Sequence, residues 1–380
     1  MSNLVSAPAL IGLEPKSHYS ADLEDRALRE AAFAAKRVDL PIPVIHNNRQ
    51  LGYMLGRQCC DEVIYLPARC SLDKMVAAGF PTYDSLINAI TVNGTALPVQ
   101  YSKGATTAPV ALNYYDLWPV AGNPSAGTYA GSASASIQLT DASTGSLSHG
   151  GNVSALTKHL LRMGGRFSAG ATAPTLMLYD RTVHYGQVPF NAAALNTFTQ
   201  TNTPTSLRYS TNTDSGCKIM VTVGTTVNGA TASQITTLGY KNQAGTAGQA
   251  APCSATTTNV IVSGAVGTAT LGARIVSPCA TAAGTQVTGW FFPLATGDVG
   301  VQSITNLTTS AANTGTLCFV MARPLAYLGL GTLGATSEKD LVMMVAGMER
   351  VFDGACLAMA TYFPVATGAT IDSDLFLAWN

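Results

Sequence analysis

Gly284-Thr-Gln-Val-Thr-Gly-Trp-Phe-Phe-Pro-Leu-Ala-Thr-Gly-Asp-Val-Gly-Val-Gln-Ser-Ile-Thr-Asn-Leu307 and, after a run of small residues, Thr314-Gly-Thr-Leu-Cys-Phe-Val-Met-Ala-Arg-Pro-Leu325 decide the fold class. Val299, Val301, Ser303, Thr305 and Leu307 alternate with Gly300, Gln302, Ile304 and Asn306. A period of two predicts a strand with two different faces. Leu317–Met321 is a short, continuous apolar run, which predicts a strand buried on both faces. The Thr308–Gly315 segment between them has the composition of a surface loop, and Gly297-Asp298 supplies a turn just ahead. The stretch carries no catalytic signature. With Trp290-Phe-Phe292, the densest aromatic cluster in the chain, it reads as core scaffold, and much of the chain repeats its style.

Outward from it, residues 104–335 read as β. Candidate strands are Pro109–Tyr115, Ser134–Leu139, Thr175–Tyr179, Cys217–Val223, Gln234–Gly239, Val260–Val262 and Ala273–Val276, separated by Ala, Gly, Thr, Ser and Asn. Many short strands with such spacers predict a mainly β body, sandwich-like or jelly-roll-like. One helical interruption is expected at Ser154–Gly164, and the apolar terminus Leu375–Trp379 is expected to be tied into a sheet or an interface. The body is taken as 104–380.

Ahead of it, 1–48 reads as an arm with one helix, Ser20–Arg37, capped by Ser20 and closed by Pro41 and Pro43. Its apolar stripe, Leu23, Ala27, Leu28, Ala31 and Ala34, is narrow, so the helix docks either on a neighbouring subunit or on its own domain. Residues 49–103 read as a small mixed α/β segment: a strand over Glu62–Leu66, a helix over Ser71–Ala78, a second helix over Thr82–Ile90 and a turn at Val92–Thr95. Twenty of the chain's Asp, Glu, Lys and Arg residues lie in the first 103 positions, so a boundary is placed near Gly104.

Charged residues make up 11% of the 380 residues, less than half the usual share, while apolar residues make up 47%. A surface so poor in charge points to extensive burial against copies of the same chain or a partner. The net charge of +0 argues against nucleic-acid binding, which leaves a basic footprint. The sequence has no run of about 18 uninterrupted apolar residues, so no transmembrane helix is predicted. The stretch Met1-Ser-Asn-Leu-Val-Ser-Ala-Pro8 lacks the regions of a signal peptide, so assembly in a cytoplasm is expected.

Reactive motifs are weak. Cys59, Cys60, Cys70, Cys217, Cys253, Cys279, Cys318 and Cys356 include no Cys-x-x-Cys pair and read as reduced, buried hydrophobes, with assembly-linked oxidation as the alternative. Cys59, Cys60 and Cys70 with His46 match no zinc spacing. Cysteine catalysis needs an imidazole beside the thiolate, and no family signature surrounds His18, His46, His149, His159 or His184. His149-Gly-Gly-Asn152 resembles an oxyanion loop, but no Gly-x-Ser-x-Gly elbow accompanies it. Asp298 sits in a turn and is expected to bond its own backbone rather than calcium. His149→Ala and Asp298→Ala are therefore expected to act only through turn geometry. Between Gly104 and Ala335 the acidic residues are Asp116, Asp141, Asp180, Asp214 and Asp298, too few for a paired-carboxylate glycosidase to be expected. No catalytic, cofactor or metal site is predicted.

Several blocks resemble a family of tailed-bacteriophage virion structural proteins. They are Tyr114-Tyr-Asp-Leu-Trp-Pro-Val-Ala-Gly-Asn-Pro124, His149-Gly-Gly-Asn-Val153, Thr157-Lys-His159, Leu178-Tyr-Asp-Arg181, Gly239-Tyr-Lys-Asn-Gln-Ala-Gly245, Leu294–Ser303 and Arg350-Val-Phe-Asp-Gly-Ala-Cys356. The resemblance covers about Pro81 to Cys356. It implies a part of the particle with no catalytic residue and does not say where in it; the low-charge body, suited to extensive burial, and the helical arm, suited to reaching a neighbour, lead to the expectation of a capsid-lattice or head decoration protein. Its partners would be itself, as a homo-oligomer with a trimer among the options, and other virion proteins. A tail or adsorption protein whose β-body binds host glycans is the alternative, and a virion-associated hydrolase comes third.

Overall fold

The computed structural model describes residues 80, 82–104, 111–129, 136–153, 155–168, 173–189, 196–197, 208–209, 216–225, 233–251, 260–261, 273–275, 289–309, 315–342, 348–365 and 370–380. The Ser20–Arg37 helix, the Glu62–Leu66 strand, the Ser71–Ala78 helix, His18, His46, Asp214 and five of the cysteines lie outside them. Among the described residues the chain forms one helix, α1 (Tyr83–Thr91), and eighteen strands. The first nine strands are β1 (Ala96–Lys103), β2 (Asn113–Asp116), β3 (Gly122–Asn123), β4 (Ser136–Gln138), β5 (Lys158–Phe167), β6 (Thr175–Pro189), β7 (Asn196–Thr197), β8 (Lys218–Thr225) and β9 (Ser233–Asn242). The rest are β10 (Gln249–Ala250), β11 (Val260–Ile261), β12 (Ala273–Ile275), β13 (Val301–Thr309), β14 (Thr316–Gly329), β15 (Ser337–Asp340), β16 (Arg350–Val351), β17 (Leu357–Phe363) and β18 (Ile371–Trp379). The protein is mainly β, as its turn-punctuated sequence predicts.

Two compact units divide the chain, Met1–Ser85 with Val342–Met348 and Leu86–Leu341 with Glu349–Asn380. The helix α1 runs across that division. Ahead of it, the Thr82 and Ser85 hydroxyls each accept a backbone N–H from the other residue, at 3.1 and 3.2 Å, which satisfies two of the free donors of a helix start. Gly94, at φ +65°, turns the chain after it, where a β-carbon would strain the backbone. β1, the end of the span read as a separate mixed segment, pairs along its whole length with the C-terminal β18, from Ala96↔Ala378 to Lys103↔Ile371.

β14 organises the second unit. Its run Leu317–Ala322 is buried at every residue, and alternate residues serve two different cores. Cys318, Val320 and Ala322 join Met177 and Tyr179 of β6, Met220 of β8, Ile275 of β12, and Ala358 and Ala360 of β17. These strands close on themselves. β14 pairs with β8, β8 with β12, β12 with β2, β2 with β17, β17 with β6 and β6 with β14, all antiparallel. The result is a six-stranded barrel-like ring whose thinnest seam is the single residue pair Ile275↔Thr222. β4 lies on β6 beyond the ring, opposite Val183–Tyr185. Pro324 is tolerated inside β14 because it lies past Ala322, where the ladder to β8 has ended.

The other face of β14, Leu317, Phe319 and Met321, packs with Ile219, Val221 and Val223 of β8 against a second sheet. That sheet has the order β10-β9-β13-β7, with β11 also on β9, and supplies Ile235, Leu238, Tyr240, Val301, Ile304 and Leu307. Ring wall and sheet are layered like a sandwich. The strict alternation read over Val299–Leu307 breaks in β13: register shifts fall between Val301/Ser303 and Ile304/Asn306, and Ser303 and Ile304 are both buried. Phe292 is buried in this core, with Trp290 and Phe291 half-buried against the ring's contents.

The third sheet runs β15-β5-β18-β1-β3, with β16 also on β5. β5 is a strand where a helix was expected over Ser154–Gly164. Eight of its ten residues are buried, all but Arg162 and Arg166, and burial on both faces erases the period of two that marks a half-buried strand. Gly165 shows where this sheet rests: a β-carbon there would meet Leu328, Leu330 and Leu176 at 3.0–3.3 Å. The C-terminal Leu375–Trp379 is an interior strand between β5 and β1, as its apolar sequence predicts.

Candidate functional site

The barrel-like ring places a charged pair at its centre. Asp116 ends β2 and Arg181 lies in β6, two residues from Tyr179 and so on the same face, and both side chains are fully buried. Asp116 Oδ2 accepts from Arg181 Nη1 at 2.7 Å and from the Tyr129 hydroxyl at 3.0 Å. Asp116 Oδ1 accepts from the Tyr179 hydroxyl at 2.7 Å and from the Trp118 backbone N–H at 3.0 Å. The guanidinium lies 4.9 Å from the Trp118 ring and 5.2 Å from the Tyr129 ring, both within cation–π range and out of water. Burial alone lowers the basicity of Arg181, but Asp116 and the phenol oxygens outweigh it and hold its pKa well above the ordinary value. Burial, then the Asp116 charge, pushes Tyr129 and Tyr179 well above theirs, so both stay neutral donors. Four donors on one sealed carboxylate leave it no role as a base. Chemically this is a lock that joins β2 to β6 across the ring.

A second cluster surrounds His149. Its Nε2–H donates to the Ala355 carbonyl at 2.8 Å, and its Nδ1 accepts from Lys158 Nζ at 3.0 Å. Lys158 also donates to the Gly151 carbonyl at 2.6 Å, stands 3.5 Å from Asp353 and lies 5.9 Å from the Trp379 ring. Gly150 and Gly151, at φ +87° and +63°, carry the chain through this turn, as the glycine pair predicts. The imidazole is more than a turn residue, however. It is the acceptor for a lysine whose side chain is 0% exposed. Burial, then the Lys158 charge, lowers the pKa of His149, and burial lowers that of Lys158. Its two nitrogens meet a backbone carbonyl and a lysine ammonium, not the hydroxyl or thiol that an esterase base activates.

Asp298 does not bond its own backbone as expected. Its Oδ2 accepts from the Tyr240 hydroxyl at 2.6 Å and its Oδ1 from Asn242 Nδ2 at 2.8 Å, so it ties the turn ahead of β13 to β9. Asp180 takes a two-pronged contact from Arg208, with Nε and Nη2 each at 2.8 Å, and a backbone N–H from Cys356 at 2.9 Å. Lys103 Nζ donates to the Val120, Pro124 and Ser125 carbonyls at 2.7, 2.5 and 3.2 Å, and burial brings its pKa down to about 8. Cys217, Cys318 and Cys356 are free and buried, and burial pushes each thiol up to about 12. At neutral pH they are small hydrophobes, as read from the sequence. Among the described residues no group of three His, Cys, Asp or Glu side chains is placed to hold a metal ion.

One polar constellation faces solvent. Across β1, β18 and β5 the register aligns Ser102, Asp372 and Arg166 in one row, and Gln100, Asp374 and Gly164 in the next. A groove of about 480 Å³ runs over these rows, flanked by Asn123 of β3 and Thr336 ahead of β15. Asp372 accepts from the Ser102 hydroxyl at 2.7 Å and from Arg166 Nε at 3.1 Å, while Arg162 pairs with Asp374 and, at 3.4 Å, with Glu338. Sequence reasoning missed this face and both buried clusters. The available signal was charge scarcity: in a chain this poor in charge, Asp116 and Arg181 inside apolar runs each require a partner. Comparisons with protein-family models, with curated proteins and with solved structures find no match.

Proposed function

We propose that this chain is a structural component of a bacteriophage virion, a capsid-lattice or head decoration protein that works as a homo-oligomer beside other virion proteins. The observation that carries this reading is how the fold spends its scarce charges. Asp116, Arg181, His149, Lys158, Asp180 and Asp298 are all committed to neighbours within the chain, which stabilises a shape and leaves none of them poised for acid, base or nucleophilic work. The low-charge sequence and the resemblance of Tyr114–Pro124 and the other blocks to phage virion proteins support the same reading. It is not an enzyme on this account. The test is quantitative gel and mass-spectrometric analysis of purified particles. A capsid or decoration protein appears as a major band, whereas absence from the particle overturns the proposal.

The solvent-facing groove favours a second reading, a tail or adsorption protein that meets the host surface. Copy number separates the two, because a tail-tip component appears as a minor band.

A further inference from the structure

We infer that the groove over β1, β18 and β5 is a binding site for a neutral saccharide. The inference holds for either position in the particle, since it rests on the face itself. Three observations shape it. The rows Ser102–Asp372–Arg166 and Gln100–Asp374–Gly164 stand two residues apart on the same side of three paired strands, so their polar ends form a grid roughly 7 Å between rows. Gly164, with no β-carbon, lets the Asp374 carboxylate lie down over the second row, where a β-carbon would clash with it. The volume of about 480 Å³ lies within the usual range for a small-molecule site.

The chemistry selects among ligands. Arg166 is offset by Asp372, and Arg162 by Asp374 and Glu338, so carboxylates outnumber guanidiniums and an anion such as phosphate is disfavoured. The Asp372 oxygens already accept from Ser102 and Arg166, which leaves a bare cation poorly served. An apolar ligand finds no apolar floor, because Tyr101 is only 2% exposed. What remains is a mesh of planar forks carrying both donors and acceptors: the Gln100 amide, the free guanidinium edge of Arg166, whose side chain is 59% exposed, and the carboxylates. Vicinal hydroxyls of a pyranose, each donor and acceptor at once, match such forks. The affinity of one such open site is low, and an oligomer multiplies it through avidity.

The test uses the full chain and saturation-transfer NMR with lactose, maltose and methyl α-mannoside, beside inorganic phosphate and a lysine tripeptide. At least one saccharide is expected to give transfer at millimolar concentration. Gln100→Ala and Arg166→Ala, both at exposed positions, are expected to weaken it about tenfold with an unchanged thermal melt. Absence of transfer from every saccharide overturns the inference. So does transfer that both folded variants keep, and so does competition by phosphate or the tripeptide, which would make the groove an anion or peptide site.

Discussion

Replacing Asp116 with Ala removes the acceptor at the centre of the ring. Arg181 then carries its charge fully buried and without a counter-ion, left with the 3.7 Å contact to Cys318 Sγ, its bond to the Tyr179 hydroxyl at 3.1 Å and the Trp118 and Tyr129 rings. Breaking a buried ion pair from one side costs about 3–5 kcal/mol, because the remaining charge is uncompensated. Two tyrosine hydroxyls and the Trp118 N–H lose the same acceptor, each at about 1–3 kcal/mol when no water replaces it, and these costs overlap because they share one carboxylate. A domain holds only about 5–15 kcal/mol in reserve. At roughly 2–4 °C per kcal/mol for a large domain, the ion-pair cost alone lowers Tm by roughly 6–20 °C. The double variant Asp116→Ala/Arg181→Met removes the stranded charge and is expected to recover much of the loss. The assay is thermal melting by circular dichroism, with urea titration to check that the slope is unchanged. A single variant within about 2 °C of the parent, or a double variant no better than the single, refutes the reasoning.

Phe319→Ala and Phe292→Ala, which empty the core between the ring and the β9–β13 sheet, should each cost about 3–5 kcal/mol in the same urea titration. His149→Ala should cost more than the roughly 1 kcal/mol of a turn residue, since it takes from buried Lys158 one of its two hydrogen-bond acceptors. Adding Lys158→Met should offset part of that loss. His149 also sets a pH dependence: its folded pKa lies below its unfolded value of about 6.5, so its contribution is complete above that pH and is lost as pH falls below it. In Lys158→Met, melts between pH 7.5 and 5 should depend less on pH. Finally, Cys217, Cys318 and Cys356 should resist iodoacetamide in the native protein at neutral pH and react only on unfolding, as read by peptide mass spectrometry.

How far the sequence discloses this depends on whether the cause is local. Leu317–Met321 announces a strand buried on two sides because its apolar run is continuous, and β14 indeed feeds two cores with alternate residues. Thr175–Tyr179 announces only the first third of β6, since His184, Arg181 and Asp180 interrupt the apolar pattern while lying buried against distant partners. His159-Leu-Leu-Arg-Met163 mimics a helical stripe because β5 is covered on both faces, and neighbours far along the chain decide its strand state. The register shifts in β13 invert the side on which Ile304 lies, and nothing within Val301–Leu307 marks them. Ring closure depends on pairings such as Ala273↔Asp116 and Ala360↔Asp116, whose partners are far apart in sequence. The two-row grid of the groove exists only once β1, β18 and β5 are in register. The polar residues of that grid look ordinary in sequence, one strand at a time.

The central claim is that this β body works as an assembled structural protein. Multi-angle light scattering of the purified chain across micromolar concentrations, alone and with the other particle proteins supplied, tests it most directly. The account predicts a discrete multiple of 39.3 kDa, the mass of a closed homo-oligomer. A stable species of 39.3 kDa at every concentration, with no association when those proteins are added, contradicts it.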